Sequence, residues 1–370
     1  MASRLLQRLE TDIARAEGVL EREALKARRA ALLARHGNLA EARFALAGLR
    51  TQSQRLRNPV LSTWVVFVDG LIDHCESLAP SAREKFRRAH SLALEASDAT
   101  LRAECAAWLA VTDLNANDFE GLVAHAQEAL RDAPAEAHSA RARAALVVAD
   151  AYRHAGNDDA AQPWYQRVRQ HATAEGDVSL VSMLLHNLAA FRAGRISLAD
   201  AFGRPEPEEA QRVLMEAEST GNYDAGVGNA QLNALVPLLR AQLLVVLGRH
   251  DEAIALIDAQ LPRARLEGQA HREARFLADA AYAEARLGRL DEAARRLRVI
   301  HAVLPILTEI DDQAAAHARL EFVAHALGRD EAAAAHAAAA RAAFERHRIE
   351  QHRLAAALDA HLAGLDRPVT

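Results

Sequence analysis

Cysteine is nearly absent from this chain. Cys75 and Cys105 are the two in 370 residues, and they stand far apart with no ligand-like spacing around them. A disulfide framework and a cysteine-based zinc site are excluded, and a reducing cytosol is the expected compartment. Aromatic residues make up only 4%, against abundant alanine. Small side chains in quantity suit closely packed helices better than a sandwich or barrel. Prolines and glycines are few and fall mostly between helical runs. No run reaches the ~20 apolar residues of a membrane span. The most apolar stretch, 232–247, contains Asn, Pro, Arg and Gln. Glu10 and Asp12 interrupt the N-terminal segment, so no signal-peptide core is expected. The net charge of −5 is spread over both signs, so nothing favours nucleic acid or an anionic membrane.

Catalytic signatures are missing too. There is no Gly-rich phosphate loop and no Gly-x-Ser-x-Gly, and GVGN at 226–229 lacks the strand a nucleotide-binding turn needs. His317 and His325, like His347 and His352, miss the i, i+4 spacing of a metal-binding helix. The histidines read as surface or satisfied groups, and no cofactor is expected.

What is present is a repeated turn: LGRHDEA at 247–253, LGRLDEA at 287–293 and LGRDEAA at 327–333. Gly248, Gly288 and Gly328 follow one another at 40-residue intervals (288 − 248 and 328 − 288). Gly suits the left-handed residue that ends a helix. The acids after it suit the positive N-terminal end of the next helix. The alanines that follow let neighbouring helices approach. So short a connection makes antiparallel pairs, and a sustained period of this size marks a helical array.

Upstream the rhythm is looser, with turn markers near 37, 79, 116, 156 and 194. Pro59 is read as closing the second helix of the first repeat. The first helix of the fifth repeat is read as ending at Gly194. From Gly194 to Gly248 the interval lengthens, and the surplus is placed in an irregular insertion or hinge over 202–230, with a helix near 207–219. The organisation expected is 1–201 with five repeats and an N-terminal capping helix, the insertion 202–230, and 231–370 with three repeats and a long terminal helix over about 330–363.

The pattern Ala…Leu-Gly-Arg-x-Asp-Glu-Ala, with Ala281, Gly288, Ala293 and Pro305 at matching spacings, resembles tetratricopeptide repeats, although the period exceeds the usual figure of about 34. It is similar to the extended repeats of bacterial regulatory proteins, including large transcriptional activators, peptide-pheromone receptors and sensory arrays preceding diguanylate cyclases. The resemblance implies an all-α fold, a right-handed superhelical solenoid of about eight antiparallel helix pairs. It also implies a concave groove, lined by the first helix of each pair, that takes a protein or peptide.

Counting back from each turn places Asp69, Asp73 and Glu76 on that face in the second repeat, and Arg143 and Asp150 in the fourth. Asn187 follows in the fifth, Arg275, Asp279 and Tyr282 in the seventh, and Arg319 in the eighth. Asn can satisfy peptide amides and Arg can grip carboxylates. The three carboxylates of the second repeat share one helical face, beside His74 and Cys75. They read either as a site for a cation or metal, or as a stripe paired with Arg28, Arg35 or a residue of the next repeat. Trp64, Trp108 and Trp164 read as core. The functional expectation is a non-catalytic partner-binding scaffold. The alternatives are a receptor module whose pitch changes on binding, and a metal-dependent all-α enzyme using Asp69 and Asp73. Partner identity and oligomeric state are not legible.

Overall fold

The computed structural model describes the backbone of residues 4–227 and 233–362 and the side chains of 4–217 and 233–362. Within these residues there are 17 α-helices and no strand. None of the helices is long and apolar enough to cross a membrane. Helix α1 (Arg4–Arg15) comes first. Eight pairs follow: α2 (Val19–Arg35) with α3 (Leu39–Leu56), α4 (Pro59–Ser77) with α5 (Ser81–Glu95), α6 (Ala99–Asn115) with α7 (Phe119–Arg131), and α8 (His138–His154) with α9 (Asp158–Glu175). Then come α10 (Val178–Ala201) with α11 (Pro207–Val227), α12 (Leu235–Val246) with α13 (His250–Leu266), α14 (Glu273–Arg286) with α15 (Leu290–Val303), and α16 (Ile310–Ala326) with α17 (Asp330–Leu362).

One backbone device makes most of these turns. A residue near φ +50 to +80° follows the helix, and the next N–H reaches back five residues. Arg289 N donates to Glu284 O at 2.9 Å, Arg329 N to Ala324 O at 2.9 Å and Asn157 N to Tyr152 O at 2.8 Å. The motif survives where glycine is lost, with Asn117 at φ 54° and Asp118 N donating to Asp113 O at 2.9 Å. Starting signals differ between the halves. Asn58, Asp98, Asp118 and Asn157 cap their helices by accepting from Leu61, Leu101, Gly121 and Ala160 N. The LGR turns put Arg249 and Arg289 at the cap without a side-chain cap bond, and rely on Asp251, Glu252, Asp291 and Glu292 in the first turn.

Three readings from sequence are corrected. Pro59 opens α4 at its first turn, where its missing N–H costs nothing, and does not close α3. Gly194 lies inside α10, and the left-handed turn residue of this pair is Gly203, with Arg204 N donating to Ala199 O at 2.9 Å. That turn comes 47 residues after Gly156 (203 − 156) and 45 before Gly248 (248 − 203). The surplus is therefore shared between two long helices, α10 and α11, and most of the expected 202–230 insertion is helical over Pro207–Val227. The rest of that segment, 228–230, lies outside the described residues.

The chain forms two compact bodies. The first holds residues 4–184, 224–227 and 351–362, and the second holds 185–223 and 233–350. The division falls within α10 and α17. The first body has aromatic rings in its core. Trp64, Phe67, Phe86 and Trp108 form a chain of contacts, each neighbouring pair with centroids 5.7 Å apart. Gly70 admits Phe86: a Cβ there would lie 2.9 Å from its ring. In the second body the core is aliphatic and alanine-rich, around Leu238, Ile257, Phe276, Leu277, Leu297, Ile300 and Leu320.

Several successive first helices approach one another closely, α2 with α4, α6 with α8 and α14 with α16; α12 and α14 approach less, and α4 and α6 show no comparable approach. No comparable backbone approach joins successive second helices among the described residues. Buried alanines make the first spacing possible, with Ala274, Ala278 and Ala281 on α14 and Ala316 on α16. Between second helices long side chains span the gap instead. Arg289 at the cap of α15 reaches Asp251 on α13 at 2.6 Å, and Arg296 on α15 reaches Asp258 at 2.8 Å.

Candidate functional site

The polar residues of the second body that sequence placed on a groove wall are buried against each other. Arg275, Asp279 and Arg319 are 1%, 0% and 2% exposed. Arg275 pairs with Asp279 one turn along α14 at 2.5 Å, donates to Ser197 Oγ at 2.5 Å and lies 3.6 Å from Asp312. Arg319 donates to Asp279 Oδ1 at 3.2 Å and to Asp200 Oδ2 at 2.5 Å. Arg272 donates to Asp312 Oδ2 at 2.8 Å. Three arginines thus face three aspartates. Burial alone would raise the Asp312 carboxyl, but Arg272 and Arg275 outweigh it and hold it below the ordinary carboxylate range. The same balance runs the other way at Arg319: burial works against its charge, and Asp279 and Asp200 more than restore it. Each arginine of the set thus has an aspartate partner, and Arg275, Asp279 and Arg319 are closed off from solvent. What this face exposes lies one turn further on. Tyr282, half-buried, carries the Arg319 guanidinium 4.2 Å from its ring centroid and meets Phe322 edge-on at 4.9 Å. Phe322 is exposed, and Arg286 lies 5.8 Å from both rings.

In the first body Asp69, Asp73 and Glu76 face the second helices α3 and α5. Asp69 pairs with Arg50 and with Lys85, both at 3.0 Å. Asp73 pairs with Lys85 at 2.7 Å and accepts from Ser81 Oγ at 2.5 Å. Glu76 pairs with Arg43 at 2.5 Å. Burial works to raise the Asp73 carboxyl, and the bonds from Lys85 and Ser81 carry it below its ordinary value instead. Their partners are therefore Arg43, Arg50 and Lys85, not Arg28 or Arg35. Among the described residues no group of three or more His, Cys, Asp or Glu is placed to hold a metal ion. Arg143 is buried with its guanidinium 4.4 Å from the Trp108 centroid. Burial, and then the nearby Arg35, lowers its pKa to about 10. Asp150 is buried and accepts from Tyr165 Oη at 3.0 Å. Asn187, which belongs to the second body, sits half-buried on α10.

One cleft of the first body lies among first helices, and a larger hollow of the second body is lined by Asp258 of α13, Glu284 of α14 and Arg295 and Arg296 of α15. In the first body, a cavity of about 40 Å³ is lined by Leu32 and Arg35 of α2, Trp64 and Phe67 of α4, and Glu104 and Trp108 of α6, with Ser139 of α8 beside them. Helix α1 closes it with Leu5 and Leu9. Its floor is aromatic and its rim charged. Arg35 pairs with buried Asp177 and donates to Ser139 Oγ at 3.1 Å. Burial pushes the Glu104 carboxyl up, with Arg35 opposing. Glu175 receives Arg8 at 2.7 Å and Arg28 at 3.5 Å. These residues pair charge with charge. They can bury an apolar stripe and match flanking charges. Sequence reading passed over Glu104, Ser139 and Glu175, because each is a lone polar residue on an ordinary helix. Trp64 and Trp108 are in the core as read, and also wall the cleft.

No protein-family model matches the chain, and no curated protein matches it in sequence.

Proposed function

We propose that this chain is a non-catalytic scaffold of the tetratricopeptide type. In this reading the eight helix pairs stack into a right-handed superhelical solenoid, and the inner face, lined by first helices, receives a protein or peptide partner. The observation that supports it is the packing asymmetry. Several first helices meet closely, with buried alanines on α14 and α16, while α13 and α15 are joined by long Arg–Asp spans. A stack closer on one side than the other curves toward the close side, which makes the first helices the inner wall. The step from architecture to partner binding is by analogy with helical repeats in general, and cytoplasmic placement belongs to the same reading.

Affinity capture from cytosol, with surface variants on the two faces, tests it. Arg28→Glu and Phe322→Ala alter exposed side chains of first helices. Phe44→Ser and Leu266→Ser alter residues 85% and 86% exposed on second helices. The expected result is a partner recovered by the unaltered chain and the second-helix variants, and lost with at least one first-helix variant. Loss confined to the Phe44 and Leu266 variants would move the docking surface to the outer face.

A further inference from the structure

The geometry points to α1 as a tethered occupant of the cleft in the first body, held where an amphipathic helix of a partner carrying the same Leu-x-x-Arg-Leu pattern docks. The inference rests on the proposed partner-binding face and names the partner's chemistry. Leu5 and Leu9 turn inward one helical turn apart, 5% and 3% exposed, onto Leu32 and the cavity walled by Trp64, Phe67 and Trp108. Arg8, between them in the pattern, reaches buried Glu175 at the far end of α9. The cleft thus already recognises a helix, through two apolar anchors and one cation.

The resident helix is a weak occupant on several counts. Beneath its two leucines a void of about 40 Å³ remains. Its polar ties, Arg8–Glu175 and Glu10–Arg29, each have one end about half exposed, and such pairs contribute little. No acidic residue stands in its first turn, while Arg4 and Arg8 sit near its positive end. With 12 residues it is also too short to be a stable helix on its own. Its two leucines are helped by the short link through Ala16 to Gly18, which keeps its local concentration high. A partner helix with the same anchors competes against the tether and not against a strong interface.

The test uses the full chain and a fluorescent synthetic peptide of residues 3–16, followed by anisotropy, with circular dichroism to confirm folding. Leu5→Asp with Leu9→Asp releases α1, and the peptide is expected to bind this form at least about tenfold more tightly than the unaltered chain, whose cleft is already filled. Arg8→Glu is a milder release that sets a carboxylate against Glu175 at a half-exposed position, and the same direction is expected. Glu175→Arg in the released chain weakens the peptide, and a peptide carrying Arg8→Glu restores binding. If folded chains of both release variants bind the peptide no better than the unaltered chain, α1 is only an end cap and the inference fails. That failure is distinct from failure of the partner-binding reading, which the capture experiment decides without the peptide. A dimer of the unaltered chain that the Leu5→Asp, Leu9→Asp form loses would make the occupant a second copy of α1 and overturn the separate partner.

Discussion

Asp279 carries the sharpest consequence of the second body's architecture. It is fully buried and faces Arg275 at 2.5 Å and Arg319 at 3.2 Å, themselves 1% and 2% exposed. Asp279→Ala leaves three arginines, Arg272, Arg275 and Arg319, against two aspartates, Asp200 and Asp312, with Arg275 and Arg319 fully buried. Removing one partner of a buried pair costs about 3–5 kcal/mol, because the remaining charge stays desolvated. For a body of roughly 160 residues, at about 2–4 °C per kcal/mol, the midpoint should fall by about 6–20 °C. Thermal unfolding by circular dichroism at neutral pH measures this. Asp258→Ala is the control. It removes a carboxylate 52% exposed that also pairs with an arginine, Arg296, and should cost no more than about 1 kcal/mol. A shift below about 2 °C for Asp279→Ala, or one equal to the control, would show that the cluster is hydrated. Asp279 would then be open to a ligand, and the burial argument would be wrong.

Four further outcomes follow from single positions. Gly194 lies mid-helix with open space where a Cβ would go, so Gly194→Ala should stabilise by about 0.5–1 kcal/mol. Gly288→Ala, at φ +75°, should destabilise by about 1–2 kcal/mol, and urea midpoints separate the two signs. Asp98→Ala removes the acceptor for Leu101 N and should cost about 1 kcal/mol in the same assay. Burial, reinforced by Arg35 and Arg143 respectively, lowers His36 and His74 to about 4. Their folded pKa lies below the unfolded one, so the unfolded state binds more protons between pH ~6.5 and ~4. Stability is full above that window and falls through it as pH drops, by up to about 1.4 kcal/mol per pH unit for each histidine. His74→Gln should flatten the decline measured by urea unfolding at pH 7.5, 5.5 and 4.5, and an unchanged slope would remove His74 from the account.

Local interactions were legible in the chain. The LGR turns at Gly248, Gly288 and Gly328 each need a left-handed residue, and acids suit the helix start that follows, so three neighbouring residues announce the hairpin. The helical class follows from the same logic, because alanine-rich, apolar-periodic segments bury a face only as packed helices.

Glycine alone does not say whether it ends a helix. Gly194 and Gly203 look alike in sequence, and the packing of α10, which buries Ala193 and Ile196, carries the helix past the first and stops it at the second. Charge was the larger ambiguity. Asp69 and Asp279 have the same helical setting in sequence, yet one meets lysine and arginine at the surface and the other is sealed between two arginines. A partial clue was present: Asp279 and Arg319, like Arg272 and Asp312, stand one repeat of 40 residues apart (319 − 279 and 312 − 272), opposite charges at one register of neighbouring first helices. Whether such a pair is exposed or buried depends on what covers it, here Ser197 and Asp200 of α10. The cleft in the first body is of the same kind. It draws on α1, α2, α4, α6, α8 and α9, and no local pattern joins Leu5 to Glu175. Turns and helices were determined by neighbours along the chain, while burial, charge pairing and the cleft were decided by helices that meet only in the folded protein.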